Sequence, residues 1–384
     1  MVLSGRFGLD RIDYRLEKLG VFGEARVWLF LPLLVWLAFS RPREGTNSKF
    51  RRMGARFFWP AAMLHVYLAI TSFWTPPVME SSVLVSNASE VSGVLMLAGM
   101  ILMVPMLFRR ETESKVRFLL ALLFGASILY ALGGLKGDWA DVDRAAAFGG
   151  GPNVFARIMG MGTIAALYFY LRTKRLIWLI PVPLLVNMAI LSGSRSGLLA
   201  LAVSLAFFLL IGMRGAAAVR RATIGVGCLV MILLSLPGVR SNVLPYWQQR
   251  FVEESFQDRY DAGRFMLFAE AAEMFRDNPV WGVGLDGFRR LSVIGEYSHN
   301  LFLQVSAEGG LIGLMLLVIA LLGAVKAWSR RGSLEEQVVF SLALLIFSAQ
   351  MFSGSYYDAR YMWIFLGILW VLSESNDGGQ VIKS

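Results

Sequence analysis

The chain has 384 residues, 56% of them hydrophobic and only 17% charged, with a mean hydropathy of +0.58. That composition excludes an ordinary soluble domain and places the chain in a bilayer. The formal net charge of +10 raises the question of nucleic acid, but Lys and Arg are scattered over short segments between apolar runs and form no stripe. They point to membrane topology, with lipids as neighbours and no nucleic-acid partner.

A helix crossing ~30 Å of hydrocarbon needs about 20 mostly apolar residues, because unpaired backbone groups are costly there. About eleven stretches meet that criterion. In chain order they are 21–39, 57–74, 91–108, 118–135, 154–171, 176–192, 197–213, 222–237, 300–325, 337–352 and 360–373. The first lacks a small-residue cleavage site, so no cleaved signal peptide is expected. Because the segment before it is basic, either 21–39 is two elements or a re-entrant one, or "DRIDYRLEKLGVFGEARVW" is an amphipathic helix lying on a surface.

Loop 40–56 carries Arg41, Arg43, Lys49, Arg51, Arg52 and Arg56, whereas 75–90 carries no Lys or Arg. Segments 109–117, 172–175, 214–221 and 326–336 are basic again. The positive-inside rule therefore makes that set cytoplasmic and turns 75–90, 136–153, 193–196, 239–298 and 353–359 outward. The long connection 239–298 contains "DRYDAGRFMLFAEAAEMFRDNP", in which Phe265, Phe268, Ala272 and Phe275 recur at helical spacing and Asn278-Pro279 closes the run. It reads as a helical cap inside a single integral membrane domain spanning 1–384.

Three polar signals fall on the outward side. "LSGSRSGLLAL" is a tight turn opening a helix, with Arg195 between Ser194 and Ser196. Such a turn can aim N–H groups and a guanidinium at an anion, although a short turn with an arginine reaching headgroups would look the same. Arg264 lies in the cap helix, where an arginine is commonly just solvated. His299, in "YSHNLFLQVSAEGGLIGL", precedes a long apolar run. With Ser298 as N-cap, His299 and Asn300 would occupy the first helical turn, and the helix dipole would favour a neutral imidazole able to take a proton.

Arg157 lies about one turn inside its span and Glu308 deeper in another. Buried charge of this kind faces a polar cavity or forms a structural ion pair, the reading favoured for Glu308. "GVGLDG" at 282–287 fits G-x-G-x-x-G in letters but has no βαβ unit around it, and reads as a turn in the cap. Cys228 is the only cysteine, His65 falls in a span, and no ligand cluster suggests a metal or other cofactor.

"SGSRSG", "DAGRFMLFAEAAEMFRDNPVWGVGLDGF" and "SHNLFLQVSAEGGLIGL", in that order, resemble the O-antigen ligase and polymerase superfamily of bacterial membrane glycosyltransferases over roughly residues 150–350. The resemblance implies an all-α polytopic bundle of the GT-C-like kind, with 11–12 transmembrane helices, in the bacterial inner membrane. It implies glycan transfer at the periplasmic face from an undecaprenyl-diphosphate carrier, inverting and metal-independent. The acceptor would be lipid A–core in a ligase, or another lipid-linked glycan in a polymerase, and the single large cap leans toward the ligase. The turn arginine matches Arg195, the cap arginine Arg264 and the histidine His299, with Arg157 as a further diphosphate ligand and Ser194, Ser196 and Asn300 in support. A transporter of lipid-linked sugars would also use many spans and buried arginines, but the polar signals gather at one face and no inverted repeat of broken helices is visible.

Overall fold

A computed structural model of the chain describes residues 54–76, 83–108, 111–136, 144–148, 151–212, 264–293, 297–328, 333–354 and 359–380. The predicted stretches 21–39 and 222–237, the basic N-terminal segment, Cys228 and the start of the cap at 239–263 lie outside these residues. The described residues are all-α. Their helices are α1 (Trp59–Thr71), α2 (Val83–Phe108), α3 (Thr112–Lys136), α4 (Pro152–Thr173), α5 (Val182–Leu191), α6 (Arg195–Gly212), α7 (Arg264–Asp277), α8 (Gly287–Leu291), α9 (Leu301–Trp328), α10 (Leu334–Gln350) and α11 (Arg360–Gln380).

Every predicted stretch within the described residues is occupied by helix. In 176–192 a 3₁₀ turn at Leu176–Leu179 precedes α5, because Pro181 and Pro183 offer no N–H to a continuous ladder. Ser89–Phe108, Thr112–Leu135, Pro152–Thr173 and Leu301–Lys326 are long and apolar enough to cross a membrane, and Leu176–Leu191 and Arg195–Leu209 are shorter apolar helices. The protein is a multi-pass membrane helix bundle. Its described helices form two compact units: α1, α2 to Leu107, α7, α8, α9 and α11 to Trp370 in the first, and α3–α6, α10 and the remainder of α11 in the second.

The second unit is built around α4, which is buried continuously from Phe155 to Ala166. Small residues let its neighbours approach. A Cβ on Gly160 would come within 3.1 Å of Leu345, and one on Gly162 would collide with Ser127. Helix α10 runs antiparallel to α4: Arg157, near the start of α4, bonds to Ser353, whereas Tyr168, near its end, bonds to Glu335. Phe124, Phe169 and Trp178 close this unit with rings 4.6–6.5 Å apart.

In the first unit α1, α7 and α9 pack together. Helix α7 turns Leu267, Ala271 and Met274 toward α9, where they join Leu303, Ala307 and Phe288. The expected face of Phe265 and Ala272 is wrong, since both are exposed. Rotation by one or two positions puts the smaller Leu267 and Ala271 in the contact, beside the buried ring of Phe288. Helix α9 is kinked at Gly310, whose φ is 61° and ψ −157°. There the segment after α7 supplies the hydrogen bonds that the helix gives up. Leu311 N–H donates to Pro279 O at 2.8 Å, while Val283 and Gly284 N–H donate to Ala307 O and Glu308 O at 2.9 and 3.0 Å. The backbones meet so closely that a Cβ on Gly282 or Gly310 would overlap the opposite main chain. "GVGLDG" is thus a turn inserted into a helix. Asn278-Pro279 ends α7 as its sequence indicates.

Candidate functional site

In the second unit one end gathers the turn before α6 and the first turns of α4. Gly193, at φ 62°, reverses the chain, and Ser194 caps α6: its Oγ accepts from Gly197 N–H at 3.1 Å and donates to Asn153 Oδ1 at 2.8 Å. Arg195 is the first residue of α6 and half-buried, and Ser196 beside it is buried. The turn is braced from the 144–148 segment, where Arg144 Nε donates to Ser192 O at 2.8 Å and Ala145 N–H to Leu191 O at 2.9 Å.

Arg157 is buried in the second turn of α4, where its Nη2 donates to Ser353 O at 2.7 Å and Ser353 Oγ at 2.6 Å. Asn153, Ser353 and Gln350 are residues of this end that the sequence did not single out. Gln350 is fully buried one turn before Ser353, and among the described residues neither of its amide atoms has a hydrogen-bond partner. A polar side chain near the end of an apolar run was the available signal. The opposite end of the unit is different: Arg172 and Tyr168 bond to Glu335 at 2.6 and 2.7 Å, with Arg117 at 3.8 Å.

In the first unit α7 and α9 run in the same direction, because Pro279 meets Leu311 while Leu267 and Ala271 pack with Leu303 and Ala307. Arg264, first residue of α7, and His299, two residues ahead of α9, therefore stand at the same end of the pair. His299 is outside the helix. Asn300 is the N-cap, its Oδ1 accepting from Phe302 and Leu303 N–H at 3.0 and 3.1 Å, and His299 holds a left-handed φ of 58°. This corrects the expected first-turn position: Ser298 and Asn300 are both cap formers, and the asparagine is the one within reach of the second and third N–H groups. The His299 ring lies edge-on to Tyr297, with centroids 4.5 Å apart.

Glu308 is not simply half of an ion pair. It is 1% exposed and accepts from Asp286 N–H at 3.1 Å, Phe288 N–H at 3.3 Å and Gln304 Nε2 at 2.6 Å. Gln304 Oε1 in turn accepts from Ser298 N–H at 2.7 Å. The other histidine, His65, is buried in α1 with Nδ1 2.7 Å from Ala61 O and Trp363 against its ring. Among the described residues no three His, Cys, Asp or Glu side chains are grouped to hold a metal ion.

Chemically, the end of the second unit offers guanidinium donors at a helix start, and the end of the first offers an imidazole with an arginine. Residues 180–318, a little over a third of the chain, match the family model described as O-antigen ligase. The match includes Arg195, Arg264 and His299 and leaves out Arg157. No curated protein matches the chain.

Proposed function

We propose, taking as premise that residues 180–318 are an O-antigen ligase family domain, that this membrane protein transfers a glycan from an undecaprenyl-diphosphate carrier to lipid A–core on the periplasmic side of the bacterial inner membrane. The family match supports ligase- or polymerase-type activity on lipid-linked glycans in general. The observation that carries the finer reading is Arg195 as the first residue of an 18-residue helix, inside the matched segment. Unpaired N–H groups and the dipole at a helix start favour negative charge, and a guanidinium adds a fork suited to phosphate oxygens.

In this reading the anomeric carbon–oxygen bond to the carrier breaks as the acceptor oxygen attacks from the opposite face. The diphosphate leaves with its negative charge met by Arg195 and Arg264, with Arg157 as a further contributor and Ser194 and Ser196 holding the turn. His299 takes the proton of the attacking hydroxyl, and Asn300 fixes the start of the helix behind it. Fixed positive charge aimed at a leaving group is worth about 10²–10³ in rate per group. Neither cofactor nor metal is assigned a role.

The test is Arg195→Ala, Arg264→Ala and His299→Ala in cells lacking the native gene. Each variant should insert normally and leave glycan on its carrier, with transfer reduced about 10²–10³-fold. Normal transfer by all three discards the mechanism. A single glycan block on lipid A–core supports ligation, whereas a ladder built on the carrier replaces that reading with polymerisation.

A further inference from the structure

We propose that Gln304 and Glu308 are positioning residues for His299, through a chain of hydrogen bonds that begins at the cap turn and ends on Ser298, the residue before it. The proposal rests on the transfer reading, in which His299 handles the acceptor proton.

The chain has a direction. Asp286 and Phe288 N–H groups donate to the Glu308 carboxylate at 3.1 and 3.3 Å, and Gln304 Nε2 donates to Glu308 Oε1 at 2.6 Å. With its amino group committed to Glu308, Gln304 can present only its oxygen to the other side. That oxygen takes Ser298 N–H at 2.7 Å. Ser298 is completely buried, and Ser298 Oγ donates to Asn300 O at 3.1 Å. The residue between these anchored neighbours is His299, at φ 58°. A left-handed backbone at a non-glycine residue persists only where its surroundings over-determine it. The carboxylate therefore sets the orientation of the Gln304 amide, the amide oxygen holds Ser298 N–H, and the Ser298 hydroxyl ties that residue to Asn300 across His299.

A structural tie between the cap and α9 would need only the bonds from Asp286 and Phe288. The Gln304 step is separate from those two bonds, since it holds Ser298, next to His299. Gln304→Leu removes the acceptor for Ser298 while leaving both cap bonds to Glu308 in place, so it separates positioning from folding. Glu308→Gln reverses the polarity of one carboxylate oxygen and scrambles the donor order.

The experiment uses the full chain in detergent and the lipid-linked glycan that accumulates in cells deprived of the enzyme. Two readouts are taken: transfer kinetics, and the rate at which diethyl pyrocarbonate modifies His299, read by mass spectrometry. His65, at 1% exposure, serves as the protected control. Misplacement of a reacting group by about 1 Å can cost up to 10²-fold. Gln304→Leu and Glu308→Gln should lower turnover by about tenfold or more with donor half-saturation unchanged, and alter the His299 modification rate several-fold. Native turnover and modification rate in Gln304→Leu would overturn the proposal. If Glu308→Gln fails to fold, Gln304→Leu decides alone. Normal transfer by His299→Ala, with modification rates still responding to Gln304→Leu, would remove the transfer reading and leave the positioning chain standing.

Discussion

Two buried carboxylates, one in each unit, are held in opposite ways. Glu335, 3% exposed at the start of α10, takes Arg172 and Tyr168 as close partners with Arg117 nearby. The two arginines reach it from the ends of other helices, with 39% and 34% of their side chains exposed. Glu308, 1% exposed, takes main-chain N–H groups of the cap turn and a buried amide. A partner on a flexible, wetted arginine can return to water when its carboxylate is neutralised. A backbone N–H sealed in a protein interior has nowhere else to go. Two sites of similar burial thus differ in how much they tolerate, and the less tolerant one lies on the helix that His299 precedes.

The largest effect expected in breaking that contrast comes from Gly310→Ala, which forces a Cβ into Val280 O at a left-handed φ of 61°. Losses beyond about 4 kcal/mol follow from such collisions, and no folded protein should be recovered by size-exclusion chromatography. Glu308→Gln compared with Glu335→Gln is the direct test. The first should lower stability by about 1–3 kcal/mol, by turning a donor toward a cap N–H, and the second by less, because its two arginines are partly exposed. Thermal unfolding in detergent would show the difference, and equal losses would break the comparison. Gln350→Met should leave stability unchanged or raise it by about 1 kcal/mol, because the amide gives up no bond. Smallest is Gly125→Ala on an open face of α3, where a Cβ meets nothing within 4 Å. It should be neutral or stabilising by at most about 1 kcal/mol.

The apolar runs placed the helices well, because span length and hydropathy are local properties. Asn278-Pro279 and the "SGSRSG" turn were equally legible, the one from proline chemistry and the other from glycine at a reversal. The kink at Gly310 was hidden: "EGGLIG" continues an apolar run, and what opens the helix is the segment 279–284, whose N–H and C=O groups replace those of α9. Arg157 could be recognised as buried charge, but its acceptor Ser353 is 196 positions away. For α7 the period was right and the phase wrong, since large rings at Phe265 and Phe268 outweighed the smaller side chains that fit the contact. Arg195 and His299 were singled out by turn chemistry and by resemblance. Gln304, which has no motif of its own, became visible only through its bonds.

The break at Gly310 also divides α9 by exposure, since every residue from Leu301 to Gly310 is buried or half-buried. From Leu311 onward it presents Leu311, Met315, Val318, Ile319, Leu322 and Val325 outward, and Leu311–Trp328 measures about 27 Å at 1.5 Å per residue, close to the ~30 Å thickness of hydrocarbon. That rod alone suffices as the anchor. The preceding half, with its carboxylate and amide, need not be submerged among acyl chains, and so the protein can keep an ionisable group on a membrane helix without dragging it through oil.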